Sequence, residues 1–127
     1  MIRGVDHIAV QTADAERAAR FYIEALGFSD RGRLEVPGAG TLIFVELNGV
    51  KIEFFSGGKV PKESEWGSDQ VGYKHLCLLA EDVIEETARL KALGVEFLMD
   101  PKDVAGLRVS FLKDPDGNVI ELLQHLK

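Results

Sequence analysis

The chain has 127 residues, 46% of them hydrophobic and 28% charged, which is the size and composition of one folded domain. Its 15 basic and 21 acidic residues give a net charge of −6, which argues against a nucleic-acid partner and against a basic membrane-binding surface. No apolar run approaches the ~20 residues of a transmembrane helix, and we expect no secretory signal, no disulfide from the single Cys77 and a cytoplasmic location.

The first half of the chain reads as a strand, a helix and a hairpin. Asp14 is a typical N-cap, apolar residues then recur at helical spacing, and Gly27 favours the left-handed backbone that ends a helix. The pair Asn48-Gly49 between two apolar runs is a strong hairpin signal. The predicted elements are a strand at 5–11, a helix at 14–26 and strands at 41–45 and 51–55.

The second half repeats this order at a constant offset of 68 residues. His7 corresponds to His75, and Glu53 corresponds to Glu121, so that each half separates its His from its Glu by 46 positions. Asp82 with Glu85 resembles a capping box at the start of the second helix. A repeat of this length indicates a duplicated βαβββ unit. The predicted elements are a strand at 73–79, a helix at 82–93 and strands at 108–113 and 118–123.

We interpret residues 1–127 as a single domain made of two modules, at about 1–56 and about 72–127. The segment between them, at about 57–71, contains Gly57-Gly58, Pro61 and Trp66 and is long for an ordinary connection. Two interpretations stay open for it: a solvated linker with one packed Trp, or a loop that covers a ligand.

Two His and two Glu stand among apolar neighbours in the predicted strands. Because strand side chains alternate between faces, all four can point to the face that is opposite to the helices. Burying carboxylates among apolar side chains is costly unless something pairs them, and imidazole nitrogen with carboxylate oxygen is a ligand set for a divalent transition metal. The predicted ligands are His7, Glu53, His75 and Glu121.

Purely structural roles are alternatives to metal binding for these residues. A single strand His is more often a hydrogen-bonded core residue than a ligand. Cys77, on the face of His75, could line the cavity, but a small buried Cys is more often a packing residue. The spacing alone is weak evidence, and the duplicated context of all four residues is what favours the metal.

Two segments resemble the opening and closing motifs of the vicinal oxygen chelate superfamily. The first runs from Val5 to Val10 and continues from Arg17 to Phe28, and the second runs from Asp114 to Leu122. The resemblance implies an α+β fold, two βαβββ modules forming a cupped mixed sheet with helices on the outside. It also implies metal ligands at the four positions named above, in the His, Glu, His, Glu order of glyoxalase I.

This resemblance suggests a metal-dependent lyase or isomerase of the glyoxalase type. A divalent cation (Zn, Ni, Co, Mn or Fe, identity open) would stabilise an enediolate, and Glu121 or Glu53 would act as the base. The alternatives are an extradiol-type Fe(II) dioxygenase, in whose site Glu53 would be a surplus anion, and a non-enzymatic small-molecule binder of the drug-binding type. Whether the ligands come from one chain or from two chains of a dimer is open.

The same resemblance leads us to expect a small-molecule substrate and a homodimer. Both halves contain aromatic side chains that could form the pocket wall, and one basic side chain could bind a substrate anion. For each of them, core packing or an ordinary surface ion pair is the alternative. These candidates are Phe55, Tyr73, Trp66, Arg108 and Phe111.

Overall fold

The computed structural model describes residues 1–60 and 69–127. The chain divides into two compact units, Met1–Pro61 and Lys62–Lys127, whose boundary falls within the segment predicted as a linker. Each unit is a βαβββ module of the α+β class, as the repeat predicts. Residues 61–68 of the predicted linker, with Trp66, lie outside the described residues, and the single-domain interpretation stays a prediction.

The first unit holds one four-stranded mixed sheet and one helix. The strands occur in the order β1-β4-β3-β2, with β1 parallel to β4 and the other neighbours antiparallel. The helix packs against β2, β3 and β4. The elements are β1 (His7–Gln11), α1 (Ala15–Glu24), β2 (Ser29–Val36), β3 (Gly40–Leu47) and β4 (Val50–Phe55).

The second unit repeats this arrangement. Its strands occur in the order β5-β8-β7-β6, again with one parallel pair, between β5 and β8. The helix packs against β6, β7 and β8. The elements are β5 (Leu76–Leu79), α2 (Val83–Ala92), β6 (Phe97–Val104), β7 (Leu107–Lys113) and β8 (Val119–His125).

Both helices begin where their N-caps predict. The carboxylate of Asp14 accepts the backbone N–H of Arg17, and that of Asp82 accepts the N–H of Glu85, which satisfies one exposed donor at each helix start. Each helix is followed by a glycine with positive φ, Gly27 after the first and Gly94 after the second. Neither helix in the described part of the chain is long or apolar enough to cross a bilayer.

The core of each unit lies between its helix and one face of its sheet. Ile52 and Phe54 in the first unit are at most 2% exposed, and their counterparts Ile120 and Leu122 are at most 3% exposed, so the predicted helix-facing side is confirmed. Ile8, which strand alternation places on the side opposite to His7, is half exposed because β1 is an edge strand. The opposite face of each sheet therefore carries the candidate ligands.

The predicted βαβββ unit requires a strand at the places of β2 and β6, but the sequence pattern assigned no residues to either strand. Both are edge strands with mixed polar composition and irregular register, and the residues between Ser29 and Val36 are mostly exposed. Pro101 lies within β6, a position that an edge strand tolerates because one side of its ladder is unpaired. Ala105 adopts φ 49° in the β6–β7 turn, where Asn would be the usual signal.

The turn before β8 is fastened by a buried carboxylate. Asp114 is 5% exposed and accepts the backbone N–H groups of Asp116 and Asn118 at 2.9 and 2.8 Å. The Asn118 amide donates to the second carboxylate oxygen at 2.9 Å. These contacts set where β8 begins and hence where Glu121 lies.

Candidate metal centre

In the first unit, His7 and Glu53 lie side by side on the face away from the helix. The parallel pairing of β1 with β4 places Ala9 opposite Glu53, so His7, two residues earlier, shares its face. His7 Nε2 lies 3.3 Å from Glu53 Oε1. The Glu53 side chain is only 9% exposed and that of His7 is 34% exposed. The predicted pairing of these two residues is present in the fold.

A second carboxylate contacts the other side of the His7 ring. Asp6 Oδ2 lies 2.8 Å from His7 Nδ1, and Asp6 Oδ1 lies 3.8 Å from Lys51 Nζ. The hydrogen bond to Asp6 is the main cause that raises the pKa of His7. The same bond, helped by the charge of Lys51, lowers the pKa of Asp6. In the first unit, four charged or titratable side chains thus lie in a row, in the order Lys51, Asp6, His7 and Glu53.

In the second unit, His75 and Glu121 form the corresponding pair. His75 Nε2 lies 2.9 Å from Glu121 Oε1, a hydrogen-bond distance, and the side chains are 24% and 15% exposed. His75 stands just before β5 rather than inside a strand from 73 to 79, because the paired ladder with β8 begins at Leu76. The predicted second His–Glu pair is nevertheless present.

An aromatic ring stands against each imidazole. Phe44 on β3 meets His7 edge-on with ring centroids 5.7 Å apart, and Phe111 on β7 meets His75 in the same way at 5.3 Å. Both rings are directly opposite the glutamate of their unit in the sheet register. Each pair thus has an apolar wall on one side, which limits the motion of the imidazole.

Cys77 lies opposite Glu121 in the β5–β8 register. It is exposed, so the interpretation of this residue as buried packing is wrong. Loss of water around the sulfur, followed by a hydrogen bond to Glu121, raises the pKa of the Cys77 thiol to about 11. The thiol is therefore protonated at neutral pH and is a donor beside the glutamate.

The other predicted substrate residues are distributed over both units. Phe55 follows Glu53 by two residues on β4 and lies partly buried on the same face. Tyr73 is fully exposed ahead of β5. Arg108 forms a two-pronged ion pair with Asp103 at 2.7 and 3.1 Å, which was the alternative to a substrate contact. Their roles in substrate binding stay predictions, as does that of Trp66.

Sequence reasoning missed two contacts of the site, those of Phe44 and Asp6. Phe44 matches Phe111 at an offset of 67 rather than 68, because Phe44 precedes its paired Glu53 by nine positions whereas Phe111 precedes its paired Glu121 by ten. Allowing a one-residue shift in the repeat would have found it. Asp6 immediately precedes the first candidate ligand, and a comparison with Lys74 at the matching position would have marked it as a difference between the halves.

An open depression of about 510 Å³ lies beside the first pair. It is lined by Arg31, Phe44, Glu46 and Lys51, and Arg31 donates to Glu46 at 2.9 Å. Phe44 belongs both to this depression and to the wall of His7. The depression is a place where a substrate group could lie next to the candidate ligands of this unit.

The donor chemistry fits a divalent cation. Imidazole nitrogen and carboxylate oxygen are the donors that Zn, Ni, Co, Mn and Fe accept, and in each unit they lie within 3.3 Å of one another. Within either unit taken by itself, the described residues include no group of three His, Cys, Asp or Glu placed to hold a metal ion. Each unit therefore supplies two protein ligands, fewer than a metal site ordinarily uses.

The family of the chain follows from comparison with known proteins. Residues 4–122 match the model of the Glyoxalase/Bleomycin resistance protein/Dioxygenase superfamily, and the chain belongs to this superfamily. The family resemblance identified in the sequence is thereby confirmed. The superfamily contains lyases, epimerases and binding proteins, so membership alone does not define the reaction.

Among the relatives, the ethylmalonyl-CoA/methylmalonyl-CoA epimerase of Cereibacter sphaeroides is 34% identical over 98% of this chain and 99% of its own length. A probable lactoylglutathione lyase of Synechocystis is 26% identical over 93% and 92%. The structure of TnmS3, an antibiotic-binding protein of Streptomyces, superimposes with a TM-score of 0.76 at 27% identity, covering 98% of this chain and 97% of that one.

Proposed function

We propose that the protein is a metal-dependent lyase or isomerase of the glyoxalase type, which moves a proton at a carbon next to a carbonyl group. The observation that carries the proposal is the occurrence of a His–Glu pair at the same place in both units, each on the sheet face away from its helix. The pairs are His7 with Glu53 and His75 with Glu121.

The four side chains would hold the cation through their Nε2 and carboxylate oxygen atoms. When bound, a divalent metal of this kind polarises substrate oxygens and lowers the cost of the negative charge that develops as a C–H proton leaves. A bound cation would neutralise these two carboxylates, which are only 9% and 15% exposed.

The base would be one of the two glutamates. A carboxylate beside the reacting carbon accepts the proton and returns it, and catalysis of this kind typically contributes 10²–10⁴-fold. Glu121 has two donors next to it, His75 and the thiol of Cys77, whereas Ala9 takes the place of that thiol beside Glu53. The two glutamates are therefore chemically unequal, and a comparison of matched variants can separate ligand from base.

Two relatives suggest the first substrates to try. The names lactoylglutathione lyase and ethylmalonyl-CoA/methylmalonyl-CoA epimerase both denote proton transfer next to a carbonyl carbon of a thiol-derived substrate. The hemithioacetal of methylglyoxal with glutathione and methylmalonyl-CoA in deuterated water are therefore the matched pair of assays. Product formation in the first, or solvent deuterium at the α-carbon in the second, is the expected result.

The test combines metal content with activity. We expect the purified protein to contain a divalent metal, to lose activity with chelator and to regain it with one of Zn, Ni, Co, Mn or Fe. Glu53→Gln and Glu121→Gln should each lower turnover by at least about 100-fold, whereas Glu16→Gln, which removes an exposed carboxylate paired with Arg33, should not.

Metal titration also tests the sequence-based prediction that one cation uses all four ligands. That prediction requires one ion per chain and a loss of binding when either glutamate is replaced. A protein that binds no divalent metal, or that is fully active after chelation, would contradict the proposed function. Oxygen uptake with a catechol would instead assign the dioxygenase chemistry.

A further inference from the structure

The two His–Glu pairs differ in the atoms that surround the imidazole. In the first unit Asp6 contacts Nδ1 of His7 at 2.8 Å, and Lys51 stands next to Asp6 at 3.8 Å. The residues at the matching positions 68 places later are Lys74 and Val119. Neither of these side chains has an acceptor, so these two positions of the second unit do not repeat the Asp6 contact.

The distance from imidazole Nε2 to the glutamate is longer in the first unit than in the second. A neutral imidazole carries one N–H, and the hydrogen bond made by one ring nitrogen decides where that proton lies. His75 Nε2 is 2.9 Å from Glu121, as expected when Nε2–H donates to the carboxylate. His7 Nε2 is 3.3 Å from Glu53, beyond the usual range of an N–H···O hydrogen bond, while its short contact is with Asp6.

We propose that Asp6 is a positioning residue that holds the proton of His7 on Nδ1 and so leaves Nε2 unprotonated toward Glu53, whereas His75 keeps its proton on Nε2. The two halves of the repeat thus hold opposite imidazole tautomers in the metal-free protein. Lys51, whose Nζ lies 3.8 Å from Asp6 Oδ1, supports this arrangement by attracting the Asp6 carboxylate on the side away from the ring contact.

One consequence rests on the proposed metal-dependent function. A ring nitrogen that already presents its lone pair binds a cation without rearrangement, whereas His75 must first shift its proton to the other nitrogen. Carboxylates that orient a ligating imidazole in this way typically change metal affinity by 10–100-fold. The His7 pair is therefore the one that captures the metal more readily.

The tautomers are measured directly by long-range ¹H–¹⁵N correlation NMR on the chelator-treated protein at pH 9, where imidazoles are neutral. His125→Gln removes the third histidine signal without touching either pair. We expect a protonated Nδ1 for His7 and a protonated Nε2 for His75. The same tautomer at both residues, or the opposite assignment, would overturn the proposal without any need for a variant.

Variants at the matched positions 6 and 74 sharpen the test. Asp6→Ala should move the His7 proton to Nε2, and Asp6→Asn, whose amide oxygen still accepts, should restore the wild-type tautomer in part. Lys74→Asp should move the proton of His75 to Nδ1, and Lys74→Ala should not, because alanine adds no acceptor. An Asp6→Ala spectrum identical to that of the wild type would contradict the role of Asp6.

Metal titration of the same proteins separates this inference from the proposed function. We expect Asp6→Ala to weaken binding of Zn²⁺ by 10–100-fold, and Glu16→Gln, which makes the same change in net charge elsewhere in the first unit, to change it by less than about threefold. If the wild type binds no metal, the proposed function fails, while the tautomer assignment stands or falls on the NMR result alone.

Discussion

Replacement of Asp114 tests the device that places Glu121 at the candidate site. The buried carboxylate accepts three hydrogen bonds in the turn before β8, from the backbone of Asp116 and Asn118 and from the Asn118 amide. Each such bond contributes about 1 kcal/mol net, so Asp114→Ala should lower the free energy of unfolding by about 3 kcal/mol. Urea denaturation followed by circular dichroism measures this as a lower midpoint at constant slope.

The conservative variant Asp114→Asn should lose less free energy of unfolding than Asp114→Ala. Asp114→Asn keeps one oxygen for the two backbone donors but places an NH₂ group where Asn118 Nδ2 needs an acceptor. The expected loss is therefore about 1–2 kcal/mol, between the wild type and the alanine variant. Asp103→Ala, which removes an exposed carboxylate, should change stability little.

Two outcomes of the unfolding measurements would contradict the role of Asp114. If Asp114→Ala loses less than about 1 kcal/mol, the three hydrogen bonds do not hold the turn beyond what water provides. If Asp114→Asn is as unstable as the alanine variant, the oxygen that faces the backbone donors is not the one that matters.

Three further predictions concern both units. Thr87→Val should cost about 1–3 kcal/mol, since it leaves the buried Ser110 hydroxyl, 2.9 Å away, without its partner, and adding Ser110→Ala should recover most of that loss in urea unfolding. With a thiol pKa of about 11, Cys77 should react with iodoacetamide at pH 8 about 20-fold more slowly than an unperturbed thiol, after allowance for its higher nucleophilicity. Its rate should rise about tenfold per pH unit up to pH 10, and a plateau near pH 9 would contradict the raised pKa. Asp6 raises the pKa of His7, and His7 lowers the pKa of Asp6. The stability lost in Asp6→Ala should therefore be greatest between about pH 4 and 6.5 and should shrink as the pH rises through the raised pKa of His7. Urea unfolding at pH 5, 7 and 9 would show this trend.

Local chemistry made much of each unit predictable. Asp14 and Asp82 begin the helices because their carboxylates satisfy free backbone donors, and Asn48 with Gly49 accepts the positive φ of a tight hairpin. The alternation of β4 placed Glu53 on the side opposite to Phe54, as strand geometry requires. These features depend on neighbours in sequence, so the sequence carries their signal.

The features that sequence reasoning missed depend on tertiary partners. β2 and β6 are polar edge strands held by one neighbour, and their pairing leaves little periodicity; Ala105 in a left-handed turn gives no hairpin signal at all. Phe44 was missed because it lies nine positions before its glutamate whereas Phe111 lies ten positions before its own, so the offset of the repeat changes by one residue here. The Asp6 contact requires knowledge of which ring nitrogen faces the carboxylate, and only coordinates supply that.

The position of the ligands in each sheet has a consequence for motion. His7 lies on β1, an edge strand with one hydrogen-bonded neighbour, and His75 directly precedes β5, the edge strand of the other unit, whereas both glutamates lie on interior strands. A cation bound by such a pair would link the edge of the sheet, which has one hydrogen-bonded neighbour, to an interior strand, which has two. Metal loading should therefore slow amide hydrogen exchange in β1 and β5 far more than in β4 and β8.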